Sequence, residues 1–170
     1  MRRAIAVHCP GSWPAEAATA TVTLAHDQRH RRRIALRDDR GEPFLLDLPR
    51  ATALADGDGL ELAGGGWILT RAAAEKVLEI QGRSAQHLVR LAWHLGNRHV
   101  PVQALSGGLR LAADPVLAEM LRGLGAEVSL VEAPFSPEPG AYDAAGCHPD
   151  QSWAAQPWSQ DGLVVRKAAS

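Results

Sequence analysis

Cysteine is almost absent from the chain: Cys9 and Cys147 are the two there are, near opposite ends of 170 residues, so there is neither a CxxC pair nor a dense disulfide framework. Both read as free thiols. Long apolar runs are missing as well. No stretch approaches the ~20 apolar residues of a membrane-spanning helix. In the N-terminal sequence MRRAIAVHCPGSWP, Ala4 to Val7 is too short to be a signal-peptide core. Neither sign of charge is in excess, because 18 basic and 19 acidic residues leave a formal charge of -1 and no global field for gripping a polyanion. These absences point away from membrane and nucleic acid and predict a cytoplasmic protein.

The usual carriers of catalysis are missing too. Gly64-Gly65-Gly66 lacks a GxGxxG fingerprint and a Walker lysine, so it reads as a turn. There is no GxSxG elbow and no cysteine in a catalytic signature. Asp and Glu are absent from residues 80 to 113. Nothing here marks an enzyme, and no internal repeat is visible.

What is present is an ordinary globular composition, 46% hydrophobic and 22% charged. The first seventy or so residues read as short strands at Arg3 to Val7, Ala20 to Leu24, Ile34 to Arg37, Phe44 to Leu48, Gly59 to Leu62 and Trp67 to Thr70, with the turn sequences DDRGEP, ADGDG and AGGG among them. From about Ala74 the pattern changes. Lys76 to Ile80 is a strand, and Ser84 caps a helix over Gln86 to Leu95 whose buried stripe is Leu88, Leu91, Ala92 and Leu95, with Gly96 placed to end it. Val102 to Leu105 and Leu109 to Leu111 flank Ser106-Gly107-Gly108 as a hairpin. Asp114 and Pro115 open a second helix carrying Leu117, Met120, Leu121 and Leu124 on one face, Gly125 follows it, and Glu127 to Glu132 is the last strand.

The order βαββαβ predicts a ferredoxin-like domain. The fold class is therefore α+β: a small all-β domain over 1–73, a ferredoxin-like domain over 74–135, and a flexible tail over 136–170, rich in proline and without a period.

The stretch WHLGNRHVP, residues 93 to 101, is the most informative for chemistry. His94 falls in the last helical turn, and His99 emerges on the connection beyond. Imidazole is a good ligand for nickel, copper and zinc. HxxxxH is no standard metal motif, however, and a histidine without a partner is more often a surface residue. His94 is expected on the helix face opposite the Leu88, Leu91, Ala92 and Leu95 stripe, where its other reading is a charge complementing the helix dipole. His8 and His87 read as ordinary surface residues. His26 and His30 sit four apart in a β-like region, which does not converge their side chains. The run His26 to Arg33 is the most basic segment, either a solvated strand or a docking patch for an acidic partner.

GNRHVP, with HDQRHRRR (26 to 33), FLLDLPRATALADGD (44 to 58), VLEIQG (77 to 82), DPVLAEMLRGLGAEV (114 to 128) and VEAPFSPEPGAY (131 to 142), resembles the UreE family of urease accessory proteins in order and spacing. The resemblance implies an N-terminal β domain that docks partners and a ferredoxin-like domain that dimerises and binds nickel. It implies that the histidine of GNRH, here His99, meets its twin across the two-fold axis. A single histidine near such an axis yields two ligands. The further ligands it suggests are His94 and, in the tail, His148 and Cys147 closing over the same ion. Many relatives carry extra histidines at the start of the second helix, where this chain has Ala112, Ala113 and Pro115, and many end in a histidine-rich tail, where it has only Cys147 and His148. A peripheral second site and large storage capacity are therefore not expected.

The function implied is a nickel metallochaperone, not an enzyme, working as a homodimer with the GTPase UreG and the urease activation complex. Zinc or copper would also bind in vitro, copper at least as tightly as nickel on ligand preference. Two other readings stay open: a metal-free adaptor bridging the maturation proteins, and a metal-dependent enzyme using His94 and His99.

Overall fold

The structure, a computed structural model, describes residues 1–138. The first six strands are β1 (Arg2–His8), β2 (Ala18–Leu24), β3 (His30–Arg37), β4 (Pro43–Ala53), β5 (Gly59–Leu62) and β6 (Trp67–Ala72). They form one sheet in the order β2-β6-β5-β1-β4-β3, parallel at β1/β4 and β2/β6 and antiparallel elsewhere. Period-two alternation turns Ala4, Val22, Phe44, Leu46, Leu60 and Ile68 to one side, and the sheet curls around them as a core. Its two edges are tied together. The Asp39 amide donates to the Thr21 carbonyl at 2.8 Å, and the Asp39 carboxylate accepts from the amide and hydroxyl of Thr23 at 2.9 and 2.8 Å.

The second half runs β7 (Ala74–Gln81), α1 (Ala85–Gly96), β8 (Gln103–Leu105), β9 (Gly108–Ala112), α2 (Pro115–Gly123) and β10 (Glu127–Pro134). The sheet order β10-β7-β9-β8, antiparallel throughout, is the ferredoxin-like arrangement that the element order predicts. Its core is built from Leu78, Ile80, Leu109 and Leu111 of the sheet against Leu91, Leu95, Ala118 and Leu121 of the helices. The caps fall where expected: the Ser84 hydroxyl accepts from the His87 amide, and Asp114 accepts from the amides of Val116 and Leu117.

The two halves meet at a buried arginine. Arg29 is 5% exposed, and its guanidinium donates to the carbonyl of Phe135, to Leu54 O at 3.4 Å and to Ser136 Oγ at 3.4 Å. Phe135, 1% exposed, packs against the edge of the His26 ring at 5.0 Å, while the His26 amide donates to Glu75 Oε1 at 2.9 Å. Burial holds the Arg29 guanidinium below its usual pKa, with Glu75, Asp56 and Asp58 opposing that effect.

Several sequence expectations need correction. Cys9 is not a free thiol: it is engaged in a disulfide. His26 lies in a short 3-10 turn, His26–Gln28, rather than in a strand. His8 is half-buried, with Nε2 2.8 Å from Glu61 Oε2 and its ring edge-on to Trp67. His87 is also half-buried. Its Nδ1 accepts from the Arg83 amide at 3.1 Å, which leaves Nε2 to donate to the Leu124 carbonyl at 3.0 Å, so it ties the start of α1 to the end of α2.

Candidate metal centre

Of the two histidines that the sequence singles out, α1 carries His94, and His99 stands three residues past its end. The helix buries Leu91 and Leu95, with Leu88 and Ala92 packed partly against the same core. The opposite face leaves Val89 69% and Trp93 62% exposed, one turn apart. His94 is half-buried on the flank between these faces, its ring edge-on to Trp93 at 5.0 Å, and its carbonyl accepts from Arg98 Nη1 at 2.9 Å. It therefore does not lie opposite the buried stripe as the sequence suggests, and that face belongs to Val89 and Trp93.

The helix ends at Gly96 as expected, but Gly96 is not the residue that reverses the chain. Asn97 continues in right-handed conformation (φ -63), because the apolar Val100 must fall back against Leu95 and the reversal waits until just before it. The residue that turns the chain is His99, at φ 55, the one non-glycine with positive φ among the described residues. Its amide donates to Gly96 O at 2.9 Å, and the Val100 amide donates to Leu95 O at 3.3 Å. This pair of bonds is the Schellman ending, whose left-handed position usually holds glycine. The fold thus calls for glycine where the chain has an exposed histidine.

His99 is exposed, its imidazole open to solvent. Within one copy it stands without converging partners: among the described residues no group of three or more His, Cys, Asp and Glu side chains comes together. Ala112 and Ala113 at the start of α2 offer no donor. The tail candidates His148 and Cys147 lie outside the described residues. Sequence reasoning missed the strained backbone at His99; the signal was available in Val100, whose apolar side chain fixes where the reversal must fall.

These features define a two-domain α+β chain: a curled β domain joined to a ferredoxin-like domain, with one exposed histidine at a strained helix end. Comparison with known proteins narrows this. The model of the N-terminal domain of the UreE urease accessory protein matches residues 2–73, and that of its C-terminal domain matches residues 75–158. The urease accessory protein UreE of Rhodopseudomonas palustris strain HaA2 is 54% identical over 145 residues, 85% of this chain and 67% of that protein. The UreE of Bradyrhizobium sp. strain ORS 278 is 55% identical over 127 residues, 75% of this chain and 60% of that protein. The UreE of Beijerinckia indica is 47% identical over 146 residues, 86% and 84% respectively. The chain belongs to the UreE urease accessory protein family. It spans about two thirds or less of the length of the first two of these relatives.

Proposed function

We propose that this chain serves urease maturation as a nickel metallochaperone and is not itself an enzyme. The observation that carries this reading is His99, exposed and held in a left-handed conformation that the helix end would more readily give to glycine. Residues 1–73 dock partners, and residues 74–135 dimerise and bind the metal. The dimer forms through α1, whose exposed Val89 and Trp93 lie on the helix that leads to His99. Each copy then brings its His99 to the two-fold axis, and two imidazoles hold the ion that neither copy could hold alone.

This donor set suits a carrier. Nickel is the cargo, and two imidazoles leave most of its coordination positions to water or exchangeable groups, so it can be passed on by ligand exchange. A closed structural site would hold it too firmly. His148 is the first candidate to complete the shell, followed by His94 and, as a thiolate, Cys147. The recipient is the GTPase UreG within the urease activation complex, in the cytoplasm. Zinc and copper bind the same imidazoles in vitro.

Calorimetric nickel titration of the wild type and of His99→Ala, with mass by light scattering on both, tests this reading. It predicts about one ion per dimer, lost in the variant while the dimer persists. Undiminished binding in the variant would move the site elsewhere. No binding in the wild type would leave an adaptor that bridges maturation proteins without metal.

A further inference from the structure

Among the described residues the densest uncompensated charge lies far from His99 in the chain, on β3. Arg31, Arg32 and Arg33 are consecutive there, after His30. β3 is an edge strand whose one neighbour in the sheet is β4. Their register jumps from Arg31 opposite Thr52 to Arg33 opposite Asp47, so residues 48 to 51 of β4 bulge out against Arg32 alone. The bulge brings the exposed Arg50 to the same stretch.

Counter-charge is scarce. Asp47 sits between Arg33 Nε at 3.5 Å and Arg3 Nε at 3.6 Å. Among the described residues no carboxylate forms an ion pair with Arg31, Arg32 or Arg50, and Arg31 Nη1 donates to the neighbouring His30 carbonyl at 2.9 Å. Five arginines (3, 31, 32, 33 and 50) less one aspartate leave a local excess of four positive charges. The whole chain carries -1, so this is a local feature and not part of a general basic surface.

A single charge is enough to stop an edge strand pairing with another. A cluster of this size adds like-charge repulsion, which opposes folding and is relieved by an anionic partner. Ahead of the Asp39 tie to β2, β3 has no second strand beside it, and that part of its edge offers backbone donors and acceptors to an extended chain. We propose that the β3 edge docks an acidic, extended segment of a partner protein, its carboxylates facing Arg31, Arg32, Arg33 and Arg50. A nucleic acid fits less well, because the chain as a whole offers no attractive field to a long polyanion.

The test uses the full chain and a short labelled peptide of alternating Glu and Thr, titrated at low and raised salt. One variant combines Arg31→Glu, Arg32→Glu and Arg50→Glu; a control combines Arg90→Glu and Arg122→Glu on the helices of the other domain. The expected result is saturable, salt-sensitive binding, weakened about tenfold or more by the first variant and unchanged by the control. The melting temperature reports folding, and the Gln versions of the same three positions replace the first variant if it does not fold. Absence of binding, or equal weakening in the control, would overturn the proposal. So would tighter binding of a single-stranded oligonucleotide than of the peptide, or a change of oligomeric mass on charge reversal, which would give the edge to a second copy.

Discussion

His99 and Gly125 occupy the same position of the same helix-ending motif. At the end of α2 the Gly125 amide donates to Arg122 O at 2.9 Å and the Ala126 amide to Leu121 O at 3.0 Å. At the end of α1 the amides of His99 and Val100 make the matching bonds to Gly96 O and Leu95 O. Gly125 has φ 85 and His99 φ 55. One helix ends with the residue that suits the conformation and the other with a residue that does not, so the histidine at this position costs stability relative to glycine.

His99→Gly should therefore stabilise the chain by about 1 kcal/mol, because glycine takes the left-handed conformation without a Cβ clash. For a protein of this size that raises the melting temperature by roughly 2–4 °C. His99→Ala keeps the strain and should melt close to wild type. Gly125→Ala should go the other way by about 1–2 kcal/mol, and its Cβ would also stand 3.0 Å from Arg83 Nη2. Thermal melts of the three variants check this; no gain for His99→Gly would mean that the conformation is not strained.

Trp93 and Val89 are the exposed apolar pair on α1, and the proposed dimer uses them. Trp93→Glu places a charge on that face, which favours separate chains over an apolar interface. Light scattering should show the mass falling towards that of one chain, and nickel bound per chain should fall with it although His99 is intact. A Trp93→Glu protein that stays dimeric would remove α1 from the interface.

Much of the fold was legible in the sequence because it rests on period and punctuation. The Leu88–Leu95 stripe, the Ser84 and Asp114 caps and the Ser106-Gly107 turn are local signals, and each stands where its chemistry puts it. The misses are non-local. His87 is tied to Leu124, Cys9 is in a disulfide, and His8 is held by Glu61 and Trp67, partners that spacing along the chain does not show. At the candidate site the sequence placed the helix end at Gly96, where it falls, but not the reversal at His99, which is fixed by where the apolar Val100 must pack.

Arg29 belongs in sequence to the basic run His26 to Arg33, yet in the fold it is a buried link between the two halves. Arg29→Met removes its donors and leaves the carbonyls of Leu54 and Phe135 without their partner, a loss of about 2–4 kcal/mol for a buried hydrogen-bonded charge. Arg32→Met, on the exposed part of the same run, should stay within about 0.5 kcal/mol of wild type. Denaturant melts of the two variants compare them. Equal effects would mean that the Arg29 contacts contribute nothing to stability.

His26 gives the same junction a pH dependence. Burial, and then the charge of Arg29, lower its pKa below the ordinary histidine value, with Glu75 and Asp27 opposing. In the unfolded chain it takes up a proton near pH 6.5, about the ordinary value, whereas in the folded chain it stays neutral to lower pH. The unfolded state thus binds more protons in the window from about pH 6.5 down to the depressed folded value, and stability falls as pH falls through that window. His26→Gln removes this titration. Stability measured from neutral to mildly acidic pH should decline less in the variant than in the wild type, the difference developing below about pH 6.5. Parallel curves would show that His26 titrates alike in both states and that its packing against Phe135 does not exclude the charged ring.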